Sequence, residues 1–296
     1  SFIKYYAQSK IAGETKATPN NFWTYSILGF SSLPVLRFNL TVQGAMKQKV
    51  GEFIFGEIKS FISNRTNILL SIQGFFGSVP WGLMSVFLPY AVMEKFNCDF
   101  ASAGLLLSVM IVGYVFSIPP IHYLDRLRMR GKLGIVGLFP AFSIFMQAII
   151  FLAIFSIPSP DKEIHLIPLI KVMSIVEIVE TIQKFFGQGS IVTIMVLIVL
   201  FSFFSVFAGP ITRNIIIDVN PESRIGGSIM ILRLFELSGQ TIGLIVGGIL
   251  IDTLNSFVGS ITFVSLSWFI SVPIWIIIGK YYRNDMVSPI RTTDNS

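Results

Sequence analysis

Two opposite charges stand three residues apart inside the apolar run IMILRLFELSGQTIGLIVGGILID, residues 229–252. On a helix, Arg233 and Glu236 share one face. They could close on each other as an internal ion pair that locks helix packing. They could also open, with the guanidinium holding an anionic or polar group and Glu236 acting as counter-ion or proton carrier. The two readings do not exclude each other, since a pair that opens and closes serves both; a third has Arg233 facing lipid and snorkelling toward the interface. Gln240 extends the polar side by a turn, and Gly239, Gly243 and Gly247 follow as a small-residue stripe.

Little else in the chain could do covalent or metal chemistry. His122 and His165 fall on opposite sides of the expected membrane, so they cannot share a metal. Cys98 is the one cysteine, which excludes an intrachain disulfide and any cysteine-based zinc cluster. No GxxxxGK[ST] phosphate loop occurs, which argues against ATP drive within the chain. No serine–histidine or paired-aspartate pattern recurs at depth. The expectation is therefore no enzyme, no cofactor and no metal.

The elements that must position Arg233 belong to a membrane protein. Of 296 residues, 53% are hydrophobic and 13% charged, about half the charged share of a soluble domain; mean hydropathy is +0.73. A helix needs about 20 mostly apolar residues to cross the hydrocarbon core. Five stretches without Asp, Glu, Lys or Arg qualify: 66–93, 100–124, 133–160, 185–212 and 253–279. The Arg233 segment, about 225–251, is a sixth. Asn220-Pro221-Glu222 reads as its start: an N-cap, a proline at the first position, then an acid near the positive helix end. Arg233 and Glu236 then lie ~18–22 Å along the helix. Each charge would cost roughly 2.5–3.5 kcal/mol at mid-depth if it faced lipid. At about 100° per residue, Arg233, Glu236, Gln240, Gly243 and Gly247 fall within about 80° of one another. That side should face protein or an aqueous cavity.

The net charge of +6 is explained by topology rather than by nucleic acid. Residues 1–65 carry eight basic and three acidic residues, and LDRLRMRGK after span two carries Arg126, Arg128, Arg130 and Lys132 against Asp125. The tail adds Lys280, Arg283 and Arg291. The alternate connections are poorer in basic residues. With both ends cytoplasmic, this satisfies the positive-inside rule. Trp275, Tyr281 and Tyr282 would then supply part of an interfacial belt, with Trp268 either in it or deeper in the span. Residues 1–65 read as a cytoplasmic, interfacial segment, 66–284 as the six-helix bundle and 285–296 as a tail. Residues 166–186 read as an amphipathic helix on the outer surface, with a Glu180–Lys184 pair, or as a seventh, re-entrant element.

Span one carries its own marks. Pro80 removes a backbone donor and should kink the helix. Gln73 and Trp81 are candidates for a cavity lining or for packed core. Gly209-Pro210 is a second expected break, in span four.

Three motifs resemble the C-terminal half of a major facilitator superfamily transporter, most like the Spinster-type and related sugar- or lipid-transporter branches. They are GFFGSVPWG in span one, LDRLRMRGK after span two, and NPESR followed by SGQTIGLIVGGILID. The second motif departs from the family pattern: Arg128 and Ile121 stand where glycines are usual. The resemblance covers about residues 57–284. It implies an all-α fold of six helices as two inverted three-helix repeats, half of a 12-helix transporter working by alternating access. It also implies a small solute at the interface with an N-terminal six-helix half that is not in this chain. Asp125 and Arg126 would join an inside gate with that half, and Glu222 and Arg224 would brace the start of span five. The candidate partners are the bilayer, a small organic solute that Arg233 would favour as an anion, and the partner half. The alternative function is a non-transporting receptor or scaffold.

Overall fold

The computed structural model describes Gly56, residues 58–157 and residues 189–287. The expectations for the first 55 residues, for the amphipathic stretch 166–186 and for the tail beyond 287 lie outside the described residues. What is described is all-helical: α1 (Arg65–Phe96), α2 (Phe100–Ser108), α3 (Met110–Met129), α4 (Gly134–Ser156), α5 (Gly189–Ser205), α6 (Ala208–Val219), a 3-10 turn (Glu222–Arg224), α7 (Ile225–Leu254), α8 (Phe257–Ser265) and α9 (Ser267–Asp285). They make six helical units long and apolar enough to cross a membrane, with α2–α3, α5–α6 and α8–α9 each joined nearly end to end. The chain is a multi-pass integral membrane protein. Its end holding Arg65, Arg128, Lys132, Arg224 and Arg283 is called the basic end below.

The spans sit where hydropathy places them, but the second, fourth and sixth run on past their expected ends at 124, 212 and 279, to Met129, Val219 and Asp285. The fourth continues furthest, seven residues past the expected end at Thr212. A charge ends an apolar count but need not end a helix. α6 buries Ile211, Ile215, Ile216 and Val219 on one side, and this amphipathic pattern carries the helix through Arg213 and Asp218. The expected break at Gly209-Pro210 falls earlier, at Val206 and Phe207. A proline ring collides with the carbonyl four residues back, which here is that of Val206.

α1 is the axis of the bundle, packed along α7, α9 and α8, while α4 lies between α9 and α5, and α3 packs on α5. α1 and α7 run parallel. Gly239 faces the Phe75 carbonyl, Gly243 the Val79 carbonyl and Gly247 the Leu83 side chain, while Gly82 faces the Gln240 carbonyl. A methyl group at Gly82, Gly239 or Gly243 would overlap the opposing backbone. Only glycine lets the two backbones approach so closely, which is the usual means of helix association in lipid.

Pro80 leaves the Phe76 carbonyl without its intrahelical donor. α9 supplies replacements: Ser267 Oγ donates to Phe76 O at 3.2 Å and Trp268 Nε1 to Gly77 O at 3.1 Å. Carboxylates tie α1 to the last span at both ends. Asp285 accepts from Thr66 N at 2.9 Å and from its hydroxyl at 2.7 Å, at the start of α1. Glu94, near the other end, accepts from Ser256 Oγ and Phe257 N, each at 2.6 Å, at the start of α8. Both carboxylates occupy the positive end of a helix.

The aromatic residues of the last span do not form the expected belt. Trp268, Trp275 and Tyr282 are buried. Trp268 packs edge-on to Phe151, with ring centroids 5.5 Å apart, and Tyr282 is taken by a polar contact described below. Tyr281 is half-buried, with the Arg65 guanidinium 5.6 Å from its ring centroid.

Candidate functional site

α7 begins later than its sequence signature suggests. Asn220 is extended, and a 3-10 turn precedes the α-helix at Ile225. The Asn220 side chain does not cap that helix. It exchanges hydrogen bonds with Asn67 at 2.9 and 3.0 Å, donates to Ile216 O at 2.9 Å and accepts from Ser228 Oγ at 3.0 Å. This buried cluster ties α1, α6 and α7 together. Asn64 adds a cap to α1 and donates to Val219 O at 3.1 Å.

Two turns into α7, Arg233 Nη1 donates to Glu236 Oε2 at 2.6 Å. The pair is asymmetric: the Arg233 side chain is 61% exposed and that of Glu236 24%. Glu236 lies beside Gly74 of α1; a methyl group at Gly74 would come within 3.3 Å of its Cγ. Gly239, Gly243 and Gly247 continue along the same seam. The face that the angular count treats as one therefore divides. Its glycines are seated on α1, and Arg233 and half-buried Gln240 lie at its uncovered edge. The Arg233–Glu236 pair crosses that edge.

The other candidates are not gathered around Arg233. Gln73 is buried, with its amide near Ser271: a Cβ at Gly77 would lie 2.8 Å from Gln73 Nε2 and 3.5 Å from Ser271 Oγ. Trp81 stands among Phe201 and Trp268, with ring centroids 6.2 and 6.1 Å away. Ser271 Oγ and Trp275 Nε1 of α9, and Ser143 Oγ and Gln147 Nε2 of α4, are buried without a hydrogen-bond partner. Pro80 is held as described, and Gly209 and Pro210 lie in the first turn of α6.

At the basic end, Asp125 accepts from Asn214 Nδ2 at 3.0 Å and pairs with Arg128 at 3.0 Å. Arg128 reaches on to Asp218, which also accepts the Tyr282 hydroxyl. This network joins α3, α6 and α9, with both Arg128 and Asp218 largely shielded from solvent. Arg126, the other loop candidate, is exposed. Glu222 is exposed in the 3-10 turn, and Arg224 bonds Ser60 Oγ. Sequence reasoning passed over Asp218 and read Tyr282 only as part of an interfacial belt. The one available signal was an acid closing the apolar run NIIID at the end of the fourth span.

No family model, curated protein or solved structure matches this chain.

Proposed function

We propose that the chain is one six-helix half of a secondary transporter of the major facilitator kind. Its basic end faces the cytoplasm, and it moves a small organic solute by alternating access. Arg233 would take an anionic or polar group of that solute, with Glu236 as its counter-ion. Asp125 and Arg126 would belong to the inside gate, and a second six-helix half would cover α7.

The observation that carries this reading is the exposure of Arg233 in the body of a membrane span. A guanidinium there is expensive against lipid. α7 also belongs to the least enclosed of the six spans, with 17% of an apolar 18-residue stretch buried. A helix with an uncovered charge edge and a glycine seam on its other side suits a cavity wall. The absence of a phosphate-loop sequence fits a gradient as the energy source.

The 2.6 Å Arg233–Glu236 bond favours a second reading, a receptor or scaffold in which the pair locks structure. Uptake into vesicles, screened over small organic anions, separates the two. Solute movement that falls at least about tenfold in Arg233→Ala, at equal protein, supports transport; tenfold corresponds to about 1.4 kcal/mol of lost binding. Glu236→Gln should change the dependence on pH or counter-ion. If both variants transport like the unmodified protein, the role given to Arg233 fails. Solute-dependent quenching of Trp81 without any flux would favour the receptor.

A further inference from the structure

A groove of about 450 Å³ opens between α3 and α4 near the basic end. Pro120, Tyr123 and Leu127 line it from α3, and Ile135, Leu138 and Phe142 from α4. Its lining surface is wholly apolar, with Tyr123 contributing through its ring. Tyr123, Leu138 and Phe142 are exposed, so the groove opens sideways to the membrane.

The turn that closes the hairpin places charge at its mouth. Gly131 has φ of 76°, a left-handed conformation. Its N–H donates to Arg128 O at 2.9 Å, and the Lys132 N–H donates to Leu127 O at 3.1 Å. These two bonds end α3 in a Schellman motif. Arg130 and Lys132 therefore flank the turn, both exposed. Arg130 is the C-cap residue of α3 and Lys132 stands two residues before α4, so one base lies at the end of each wall of the groove. Arg128, between them, is drawn away by Asp125 and Asp218. Among the described residues, no carboxylate pairs with Arg130 or Lys132.

Length identifies the occupant. α4 lines one side from its start at Gly134 to Phe142, and on the other the α3 wall runs ten residues from Pro120 to its C-cap Arg130, or ~15 Å. That is half of the ~30 Å hydrocarbon core, the depth of one leaflet. We propose that the α3–α4 groove is a binding site for one anionic phospholipid of the surrounding bilayer. One acyl chain lies along the groove, and the headgroup phosphate is held between Arg130 and Lys132. The site is independent of the transport reading, since it needs only a membrane that contains anionic lipid.

The test is native mass spectrometry of the full chain, released from detergent micelles containing equal phosphatidylglycerol and phosphatidylcholine. The unmodified protein should retain one phosphatidylglycerol several-fold over phosphatidylcholine. Arg130→Ala with Lys132→Ala should abolish that preference, whereas Arg130→Lys with Lys132→Arg should keep it. Leu138→Trp, at an exposed wall position, should reduce retention by filling the groove. Lys280→Ala with Arg283→Ala, equally exposed bases of the same end, should leave the preference intact. Equal retention of the two lipids by the unmodified protein would overturn the proposal. So would an equal loss in the two double-alanine variants, which would mark diffuse attraction to the basic end. Retention unchanged by Leu138→Trp would place the lipid elsewhere.

Discussion

Asp218 makes the most demanding use of a single side chain in the bundle. It accepts from both Arg128 and Tyr282, and its backbone carbonyl accepts from Val287 N at 3.0 Å. Removing one member of a shielded ion pair leaves the other charge uncompensated, at a cost of about 3–5 kcal/mol. Asp218→Ala should therefore lower the thermal unfolding midpoint in detergent far more than Glu222→Ala, an exposed carboxylate on the neighbouring turn. Cys98 gives a pH-dependent prediction. It lies between α1 and α2, and burial, aided by Asp99, raises its thiol from 9.0 to about 11. The folded state thus favours the neutral thiol. Its contribution to stability is complete below pH 9.0 and is lost as pH rises toward about 11. A water-soluble maleimide should label Cys98 slowly at pH 8 in the folded protein, and rapidly once the protein is unfolded at the same pH. Fast labelling of the folded protein at pH 8 would contradict the burial.

At the scale of elements, the α1–α7 seam is where sequence and structure agree in kind but differ in use. Glycines at positions 239, 243 and 247 are legible as a close-packing stripe, because four-residue spacing returns to one helix face. The angular count could not say that α1 occupies this stripe and stops short of Arg233, since that depends on where a neighbouring helix lies. Asn220 shows the same limit. Its type and place before Pro221 suggest a cap, yet Asn67 of a distant span claims its amide. The seam makes a sharp prediction. Gly243→Ala should cost about 1–3 kcal/mol through overpacking against the Val79 carbonyl. Gly248→Ala, five residues along with open space at its Cβ, should stay within about 0.5 kcal/mol of the unmodified protein. Similar losses for both would mean that α7 does not pack on α1 through this face.

At the scale of the molecule, the six spans are the most legible feature, because apolar runs of bilayer length leave few alternatives. The polar network at the basic end was largely hidden, since its members come from α3, α6 and α9, far apart in the chain. The central claim concerns the edge of α7 that holds Arg233: it faces water or a wet cavity, and the far side faces lipid. Gln240 and Leu244 lie on the Arg233 side, while Ile242 and Ile249 lie roughly 160–180° round the helix. In a Cys98→Ala background, single cysteines at these four positions can be treated with a membrane-impermeant thiol reagent in sealed vesicles. The account expects labelling at positions 240 and 244 and none at 242 and 249. Equal labelling of the two sides, or none at 240 and 244, would contradict it.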